Sequence, residues 1–290
     1  MAEVEQESKG SATAQAELWG ERARDWADVM EGWNGWGVPV YRHILERITV
    51  RGDTRVLDVG CGAGRFCRIA ADRGARVSGL DATPALVEIA RERIPDGDFQ
   101  VGDMEELPWA DDSFDVVTGF NSFFIAADMV NALAEARRVV RPRGPVAMTV
   151  FGRPERCQST AMFEAIRGLV PANPGVDSTK AGQALHEEGA LEAVATEAGL
   201  EPEEAGYIEL VESYPNLETM LRGVMAAPPM VRAGRIVGDD AVRDALSEVF
   251  HSFETPTGSY ALEEEVRYLI ARRQPQLRPC LPSRGSSEKP

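Results

Sequence analysis

Apolar and polar positions along this chain follow two alternating periods, one typical of strands and the other of amphipathic helices. Residues 55–59 form an apolar, β-branched run, which predicts a strand that is buried on both faces. Five strand and helix units run from there to residue 151, and helices are predicted before them at 14–30 and 38–47. This alternation is typical of an α/β domain built on a parallel sheet.

The pattern continues beyond residue 151 with longer irregular stretches between its elements. We expect a helix at 187–198, a sixth strand at 203–211 and a seventh strand within 259–271. The predicted fold is therefore α/β, a doubly wound sheet of seven mostly parallel strands with helices on both faces.

Domain boundaries are predicted from changes in composition and periodicity. The polar residues 1–16 and the Pro- and Ser-rich residues 274–290 read as mobile tails, which leaves 17–273 as a single domain. Two stretches, about 153–186 and 215–253, follow the fifth and sixth strands, and the second reads as two helices. Ligands in open α/β sheets sit at the carboxyl ends of the strands, so we expect these insertions to form a helical lid.

Three closely spaced glycines follow the first predicted strand. Gly60, Gly62 and Gly64 allow a tight turn in which the backbone approaches a ligand, and a helix is expected to follow. The spacing is G-x-G-x-G, whereas the dinucleotide-binding pattern is G-x-G-x-x-G. Asp58 places a carboxylate before the turn, where a diphosphate would be repelled. A nucleotide-like ligand with a cationic end fits this turn better.

An acidic residue also closes the second predicted strand. Asp81 lies where doubly wound domains present a carboxylate to ribose hydroxyls. Thr83 and Pro84 follow it as a predicted N-cap and first-turn proline of a helix that ends at Arg93. A ribose-binding acid is shared by several cofactor classes, so Asp81 predicts cofactor binding without choosing among them.

Two further segments narrow the class of cofactor. Residues 99–108 contain Asp103 and Met104 after a short strand, and the acidic turn and strand at 109–117 follow at once. Together with the glycine turn and Asp81, these segments resemble four motifs of class I S-adenosylmethionine-dependent methyltransferases, in the same order. The resemblance covers about residues 40–151 and is to the small-molecule branch that includes ubiquinone and menaquinone methyltransferases.

The resemblance implies a Rossmann-like methyltransferase fold, S-adenosyl-L-methionine as cofactor and S-adenosyl-L-homocysteine as product. In the family, a carboxylate such as Asp103 accepts from the adenine amine, and the backbone N–H at Met104 donates to the ring. The residues expected to bind the cofactor are Asp58, Gly60, Cys61, Gly62, Gly64, Asp81, Ala82, Asp103, Met104, Phe120 and Trp26.

The acceptor is predicted from the segment that faces the transferable methyl group in this family. Amino-group methylases of adenine or glutamine carry two prolines there, whereas this chain keeps Asn121 and Phe124 but lacks the prolines. A small, largely apolar or aromatic acceptor is therefore expected, methylated on O, N or C. The predicted substrate-binding residues are Trp33, Trp36, Asn121, Phe124 and Met225, although Met225 at helical spacing is also typical of a core position.

A dedicated base is optional, because holding the acceptor near the reactive sulfonium can supply much of the acceleration. The candidates for a base are His186, His251 and Tyr260. No second catalytic partner is fixed by spacing, so ordinary packing or surface roles remain the alternative for each.

Composition and net charge limit which partners and which location can be expected. The net charge of −16 disfavours nucleic acid and anionic membranes as partners, and the acidic start does not resemble a signal peptide. No C-x-x-C pair is present, so no metal is expected, and the default location is the cytoplasm. Sparse lysine against abundant arginine suggests a GC-rich bacterial source and hence natural-product biosynthesis. Monomer and homodimer both remain open.

Two other functions remain as alternatives. A nicotinamide-dependent oxidoreductase would share Asp81, but Asp58 and the glycine spacing disfavour it. A scaffold that binds S-adenosylmethionine without turnover would keep Asp58, Asp81 and Asp103, so the motifs alone do not exclude it.

Overall fold

One mixed sheet of seven strands forms the centre of the molecule. The computed structural model describes residues 11–32, 35–170 and 185–274. The strands are β1 (Arg55–Val59), β2 (Arg76–Asp81), β3 (Asp98–Val101), β4 (Val116–Phe120), β5 (Pro145–Phe151), β6 (Leu200–Tyr214) and β7 (Tyr260–Arg273). Their order is β3-β2-β1-β4-β5-β7-β6, with β1 to β5 parallel and β7 antiparallel to both neighbours. The predicted α/β fold with a mostly parallel seven-stranded sheet is confirmed.

Helices surround the sheet and extend beyond its carboxyl edge. They are α1 (Ser11–Glu21), α2 (Gly37–Arg47), α3 (Arg65–Ala71), α4 (Pro84–Arg93), α5 (Met129–Val139), α6 (Thr160–Leu169), α7 (Ala190–Glu197), α8 (Leu217–Val224), α9 (Pro228–Val237) and α10 (Asp239–Phe250). A π-helix, Trp26–Met30, precedes α2, and 3₁₀ turns occur at Phe123–Ile125, Pro154–Arg156 and His251–Phe253.

Two apolar clusters cover the two faces of the sheet. On one face, α5 and α7 pack against alternate strand residues such as Leu57 and Val117. On the other face, α2, α3 and α4 pack against the intervening residues of the same strands, such as Val56 and Val116. Since side chains alternate along a strand, Asp58 points to the same face as α2 and α3. We call this the α2 face.

The two insertions, which are predicted to form a lid and are called the lid below, build a third apolar cluster. Helix α6 from the first insertion packs against α9 and α10 from the second. The ends of β6 and β7 join them, because Tyr214 and Tyr260 belong to the same cluster. The described parts of the lid are residues 153–170, 185–186 and 215–253, whereas residues 171–184 lie outside the described residues.

The ends of several elements differ from their predicted positions. Helix α1 begins at Ser11, inside the segment predicted as a tail, because its later turns pack on α4 and α9. The second insertion forms three helices and not two, since Gly238 with φ of 88° separates α9 from α10. The segment predicted as the C-terminal tail, apart from its first residue, lies outside the described residues.

The predicted helix at Pro84–Arg93 is present, but Thr83 does not cap it through its side chain. Its hydroxyl oxygen is buried without a hydrogen-bond partner in the described structure. The Asp81 carboxylate instead accepts from the backbone N–H of Thr83 at 2.9 Å. The strand end and the helix start are therefore joined by one carboxylate.

None of the helices that the structure describes is long and apolar enough to span a membrane.

Candidate active site

The glycine turn links the end of β1 to the start of α3. Gly60, Gly62 and Gly64 have φ angles of 72°, 53° and 79°, which residues with a Cβ rarely adopt. The backbone N–H groups of Gly60 and Cys61 both donate to the carbonyl oxygen of Leu80 at the end of β2. The turn is thus anchored to the neighbouring strand by its own backbone.

Asp81 fixes the next residue of the turn. Its Oδ2 accepts from the backbone N–H of Gly62 at 2.9 Å, while Oδ1 accepts from Thr83. Burial raises the pKa of Asp81, and the N–H groups of Thr83 and Gly62 oppose this shift. The carboxylate predicted to bind ribose therefore also sets the shape of the turn.

Asp58 lies beneath the turn and is 3% exposed. Its Oδ1 accepts from the hydroxyl of Thr118 on β4 at 2.7 Å. Burial raises the pKa of Asp58 well above its usual value, Thr118 opposes the shift, and the nearby Glu31 and Asp81 add to it. A cationic ligand group would stabilise the ionised form of this carboxyl.

The segment after β4 closes tightly over the turn. A Cβ on Gly60 would lie 2.4 Å from Cβ of Ser122, so no larger residue fits there without movement. The Ser122 hydroxyl donates to the carbonyl oxygen of Val59 at 2.6 Å. Neither Thr118 nor Ser122 was predicted, because their contacts with β1 come from strand pairing and not from a motif.

Glu31 is a second buried carboxylate at the turn, and no sequence motif predicted it. It is 8% exposed, and a Cβ on Gly62 would lie 2.2 Å from its Oε1. Burial raises its pKa, opposed mainly by the Ala63 N–H and the Arg93 guanidinium. Its Oε1 accepts from the Ala63 N–H at 2.9 Å and from the Trp26 indole N–H at 3.0 Å.

Three aromatic rings stand beside the turn on the α2 face. The Phe120 ring centroid lies 4.6 Å from those of both Tyr41 and Phe66. Burial raises the pKa of Tyr41 well above 10.0, and the nearby negative charges of Glu31 and Asp58 raise it further. Tyr41 on α2 is thus close to both carboxylates of the turn, although the sequence did not single it out.

The other predicted cofactor residues lie along the same edge of the sheet. Asp103 is half-buried, and its Oδ1 accepts from the Glu105 N–H at 3.0 Å, which bends the chain after β3. Met104 packs at the border of the cluster beneath α5, and Ala82 is half-buried after β2.

Asn121 adopts a left-handed conformation directly after β4, with φ of 50°. Its Oδ1 accepts from the Thr149 hydroxyl at 2.7 Å, whereas its Nδ2 is buried without a partner in the described structure. Such strain and such an unused donor are typical of functional positions. Phe124, three residues later, packs against Phe151 with ring centroids 5.5 Å apart.

A cleft of about 230 Å³ lies between the N-terminal residues and the end of β6. Its wall includes Trp36, Glu212, Tyr214 and Arg222. Because Ile208 and Leu210 belong to the cluster on the α2 face, alternation places Glu212 and Tyr214 on that face too. The cleft and Asp58 are therefore on the same side of the sheet.

Glu212 has an unusual environment for a carboxyl group. Its Oε2 accepts from the Tyr214 hydroxyl at 2.8 Å. Burial and the negative charge of Glu264 raise the pKa of Glu212 to about 7, and the hydrogen bond from Tyr214 opposes them. Sequence reasoning missed this group because the pairing of β6 with β7 brings Glu212 and Glu264 together.

The three predicted catalytic side chains are not brought together. The carbonyl oxygen of His186 accepts from Tyr207 on the opposite face of the sheet from Asp58. His251 is exposed at the end of α10. Tyr260 is 5% exposed in the lid cluster, and its hydroxyl donates to Glu254 at 3.4 Å.

The remaining predicted residues fall in different surroundings. Met225 is 5% exposed in the lid cluster, as expected of a core position. Trp26 packs edge-on against Trp19 and reaches the glycine turn through Glu31. Trp33 lies outside the described residues. No group of three metal-binding side chains occurs in the part of the chain that the structure describes.

The fold and this site together resemble one class of protein. A glycine turn that leaves no room for a Cβ, with Asp58 beneath it and Asp81 beside it, fits a nucleoside with a cationic end. On this sheet order, these features resemble the Rossmann-like fold and cofactor site of class I S-adenosylmethionine-dependent methyltransferases.

Comparison with known proteins finds a family match over part of the chain. Residues 57–148 match the family described as a methyltransferase domain. A malonyl-[acyl-carrier protein] O-methyltransferase of Serratia marcescens is 36% identical over 116 residues, which is 38% of this chain and 45% of that protein. A demethylmenaquinone methyltransferase of Renibacterium salmoninarum is 35% identical over 113 residues, 39% of this chain and 48% of that protein. The chain thus spans about half the length of these relatives.

A solved structure shows the same fold over more of the chain. Phosphoethanolamine N-methyltransferase 2 of Haemonchus contortus, in complex with S-adenosyl-L-methionine, has a TM-score of 0.52 at 16% identity. The match covers 87% of this chain and 57% of that one. The fold is therefore that of a methyltransferase domain, and the match at residues 57–148 supports S-adenosyl-L-methionine as the cofactor that the motifs predict.

Proposed function

We propose that this chain transfers a methyl group from S-adenosylmethionine to a small, largely apolar or aromatic acceptor in secondary metabolism, on O, N or C. The observation that carries the proposal is the shared face of the cofactor turn and the Trp36 cleft. Asp58 at the end of β1 and Glu212 near the end of β6 both point to the α2 face, at the carboxyl edge where ligands bind. A cofactor and an acceptor can thus meet over the ends of β4 and β5.

The cofactor-binding residues hold each part of the cofactor in this proposal. Asp81 binds the ribose, and Asp103 with the Met104 N–H binds the adenine. Asp58 and the glycine turn hold the cationic methionine end, beside the ring of Phe120. When bound, the cofactor supplies a methyl group on a sulfonium, which is already an activated leaving group.

The cleft sets the size and polarity of the acceptor. An apolar cavity of about 150 Å³ holds benzene, so the cleft of about 230 Å³ is sufficient for a single-ring acceptor. Trp36 supplies an aromatic wall, and Glu212 and Tyr214 supply one polar corner. Asn121 offers its buried N–H donor to an oxygen of the acceptor.

Glu212 replaces the histidines as the strongest candidate for a base. Methylation of an O–H or N–H acceptor releases a proton, and a general base works best with a pKa near the operating pH. The pKa of Glu212 is about 7, and the group lines the cleft. His186 lies on the other face of the sheet and His251 lies on the surface, so neither is well placed for this role.

Other proposals concern the setting of the enzyme. The names of the matched relatives point to malonyl-[acyl-carrier protein] and demethylmenaquinone as their acceptors, neither of which is a nucleic acid. With a net charge of −16, we propose a cytoplasmic enzyme, monomeric or homodimeric, that acts on free small molecules. The matches favour this function over a nicotinamide-dependent oxidoreductase and over a scaffold without turnover.

The proposal is tested with methyl-labelled S-adenosylmethionine and a panel of phenols, quinols, indoles and small amines. We expect label to pass to at least one single-ring member of the panel and not to RNA, DNA or protein. Transfer only to a macromolecule would contradict the proposed acceptor. Tight cofactor binding with no transfer to any member would instead favour the scaffold.

A further inference from the structure

The N-terminal segment, residues 11–32, touches both the cofactor turn and the lid. At one end of this contact, Glu31 and Trp26 meet the glycine turn. At the other end, the π-helix packs against α8, where a Cβ on Gly223 would lie 2.5 Å from Val29. A segment that touches two regions so closely can transmit a shift from one to the other.

Both carboxylate oxygens of Glu31 accept hydrogen bonds from the turn and its surroundings. Oε1 accepts from the Ala63 N–H and from the Trp26 indole. Oε2 accepts from the Arg65 N–H at 3.3 Å and from the Arg93 guanidinium at 3.2 Å. The carboxylate is thus held by four donors, two of which are backbone groups of the turn and the start of α3.

Arg93 ties the same segment to α4. Its Nη2 donates to the carbonyl oxygen of Ala27 at 3.2 Å, while its Nη1 pairs with Glu31. The Glu31 side chain is 9% exposed and that of Arg93 is 21% exposed, so water screens this pair less than a surface pair. Glu31 therefore closes a buried network between the N-terminal segment, the turn and α4.

The lid holds the other side of the segment through arginines. Arg222 on α8 donates to Asp25 at 2.6 Å and to Asp28 at 2.8 Å. Arg235 on α9 donates to Glu17 and Glu21, both at 2.9 Å. These pairs join the lid to the segment on the far side from the glycine turn.

We propose that Glu31 is a positioning residue of the cofactor site, which fixes the glycine turn to the N-terminal segment and through it to the lid. Glu31 does not contact the cofactor in this role, because its oxygens are already used by the turn. Its loss frees the N–H groups of Ala63 and Arg65 and lets the turn relax. The lid contacts of Arg222 then no longer influence the cofactor site. The proposal rests on S-adenosylmethionine as the cofactor.

The first test is calorimetric titration of S-adenosylhomocysteine into Glu31→Gln and the wild type. We expect the Kd to rise about 10-fold, since a charged, buried acceptor is lost with little change in shape. Glu46→Gln, on the exposed side of α2, is the matched control and should leave the Kd unchanged. A Glu31→Gln protein with wild-type affinity overturns the proposal, even if its Tm falls.

Trp26→Phe provides a second variant in case Glu31→Gln fails to fold. It removes one donor to Glu31 and keeps an aromatic ring against Trp19. We expect a rise of about 3-fold in the Kd, smaller because three donors remain. If Glu31→Gln does not fold, an unchanged Kd in Trp26→Phe overturns the proposal.

The link to the lid is tested with Arg222→Gln in both backgrounds. In the wild-type background we expect the Kd for S-adenosylhomocysteine to rise about 3-fold, and in the Glu31→Gln background we expect no further rise. Equal effects in the two backgrounds would show that the lid does not act through Glu31. Failure of the wild type itself to bind S-adenosylhomocysteine would instead overturn the cofactor assignment.

Discussion

The proposed cofactor side and the proposed acceptor side of this molecule are built in different ways. The cofactor side, from β1 to β4, holds its turn by backbone hydrogen bonds and by Asp81, with no space for larger residues. The acceptor side is formed by side chains such as Trp36 and Glu212, which come from separate elements around a cleft. A common cofactor requires a fixed backbone, whereas acceptors differ and can be accommodated by changing side chains.

The largest expected effect falls on the backbone of the cofactor side. Gly60→Ala puts a methyl group 2.4 Å from Ser122 at a φ of 72°. We expect the Kd for S-adenosylhomocysteine to rise about 100-fold, which corresponds to about 3 kcal/mol of strain and displacement. Gly52→Ala is the control, because nothing lies within 4 Å of its added Cβ. Equal binding by Gly60→Ala and the wild type would show that the turn is not rigid.

The second effect is a dependence of stability on pH, which we expect from Glu212 in the cleft. The pKa of Glu212 is about 7 in the folded protein, compared with its ordinary value of 4.5. Between pH 4.5 and 7 the folded state therefore binds one proton more than the unfolded state. Stability is therefore full below about pH 4.5 and falls as the pH rises from there through 7, by about 3 kcal/mol. Glu212→Gln should remove this loss and raise the Tm at pH 8 but not at pH 4.5.

The control for that prediction lies on the same strand. Glu209→Gln replaces an exposed carboxylate on the opposite face of β6, where it pairs with Arg156. We expect the wild-type dependence of Tm on pH in this variant. If Glu212→Gln is no more stable than the wild type at pH 8, then burial does not raise the pKa of the Glu212 carboxyl.

The third effect concerns the carboxylate beside the turn. Asp81→Asn removes the negative charge of the side chain that accepts from the Gly62 N–H and is proposed to bind the ribose. We expect the Kd for S-adenosylhomocysteine to rise about 30-fold, or about 2 kcal/mol. Asp96→Asn, exposed after α4, should bind as the wild type does. An unchanged Kd in Asp81→Asn would remove this residue from the cofactor site.

The smallest expected effect belongs to the aromatic wall of the cleft. Trp36→Ala should raise the KM for the acceptor about 10-fold through lost apolar contact, and leave the Kd for S-adenosylhomocysteine within about 2-fold. Steady-state kinetics with the acceptor found in the panel and calorimetry with S-adenosylhomocysteine give the two values. A Trp36→Ala protein that binds S-adenosylhomocysteine more weakly but keeps the wild-type KM for the acceptor would instead place Trp36 on the cofactor side.

The sequence predicted the strands and the glycine turn of the proposed cofactor side, because the signals for these elements are local. A buried strand followed by Gly60, Gly62 and Gly64 requires little knowledge of the rest of the chain, and Asp81 ends the next strand. The doubly wound, mostly parallel sheet and the helices on both faces follow from the same alternation. These features were predicted from residues that are close together in the sequence.

The contacts that were missed arise between distant segments. Thr118 reaches Asp58 because β4 pairs with β1, and Glu212 meets Glu264 because β6 pairs with β7. Glu31 meets Trp26, five residues earlier, because residues 26–30 form a π-helix. A helix of ordinary period would not bring two residues with this spacing together. Pattern reading alone could not place these side chains.

The central claim is that the glycine turn, Asp58 and Asp81 form a site for a nucleoside with a cationic end and not for a dinucleotide. The most direct measurement is calorimetric titration of the wild-type protein with S-adenosylhomocysteine and, separately, with NAD. The structure predicts saturable binding of S-adenosylhomocysteine at one site per chain and no detectable heat with NAD. Binding of NAD, or no binding of S-adenosylhomocysteine, would contradict it.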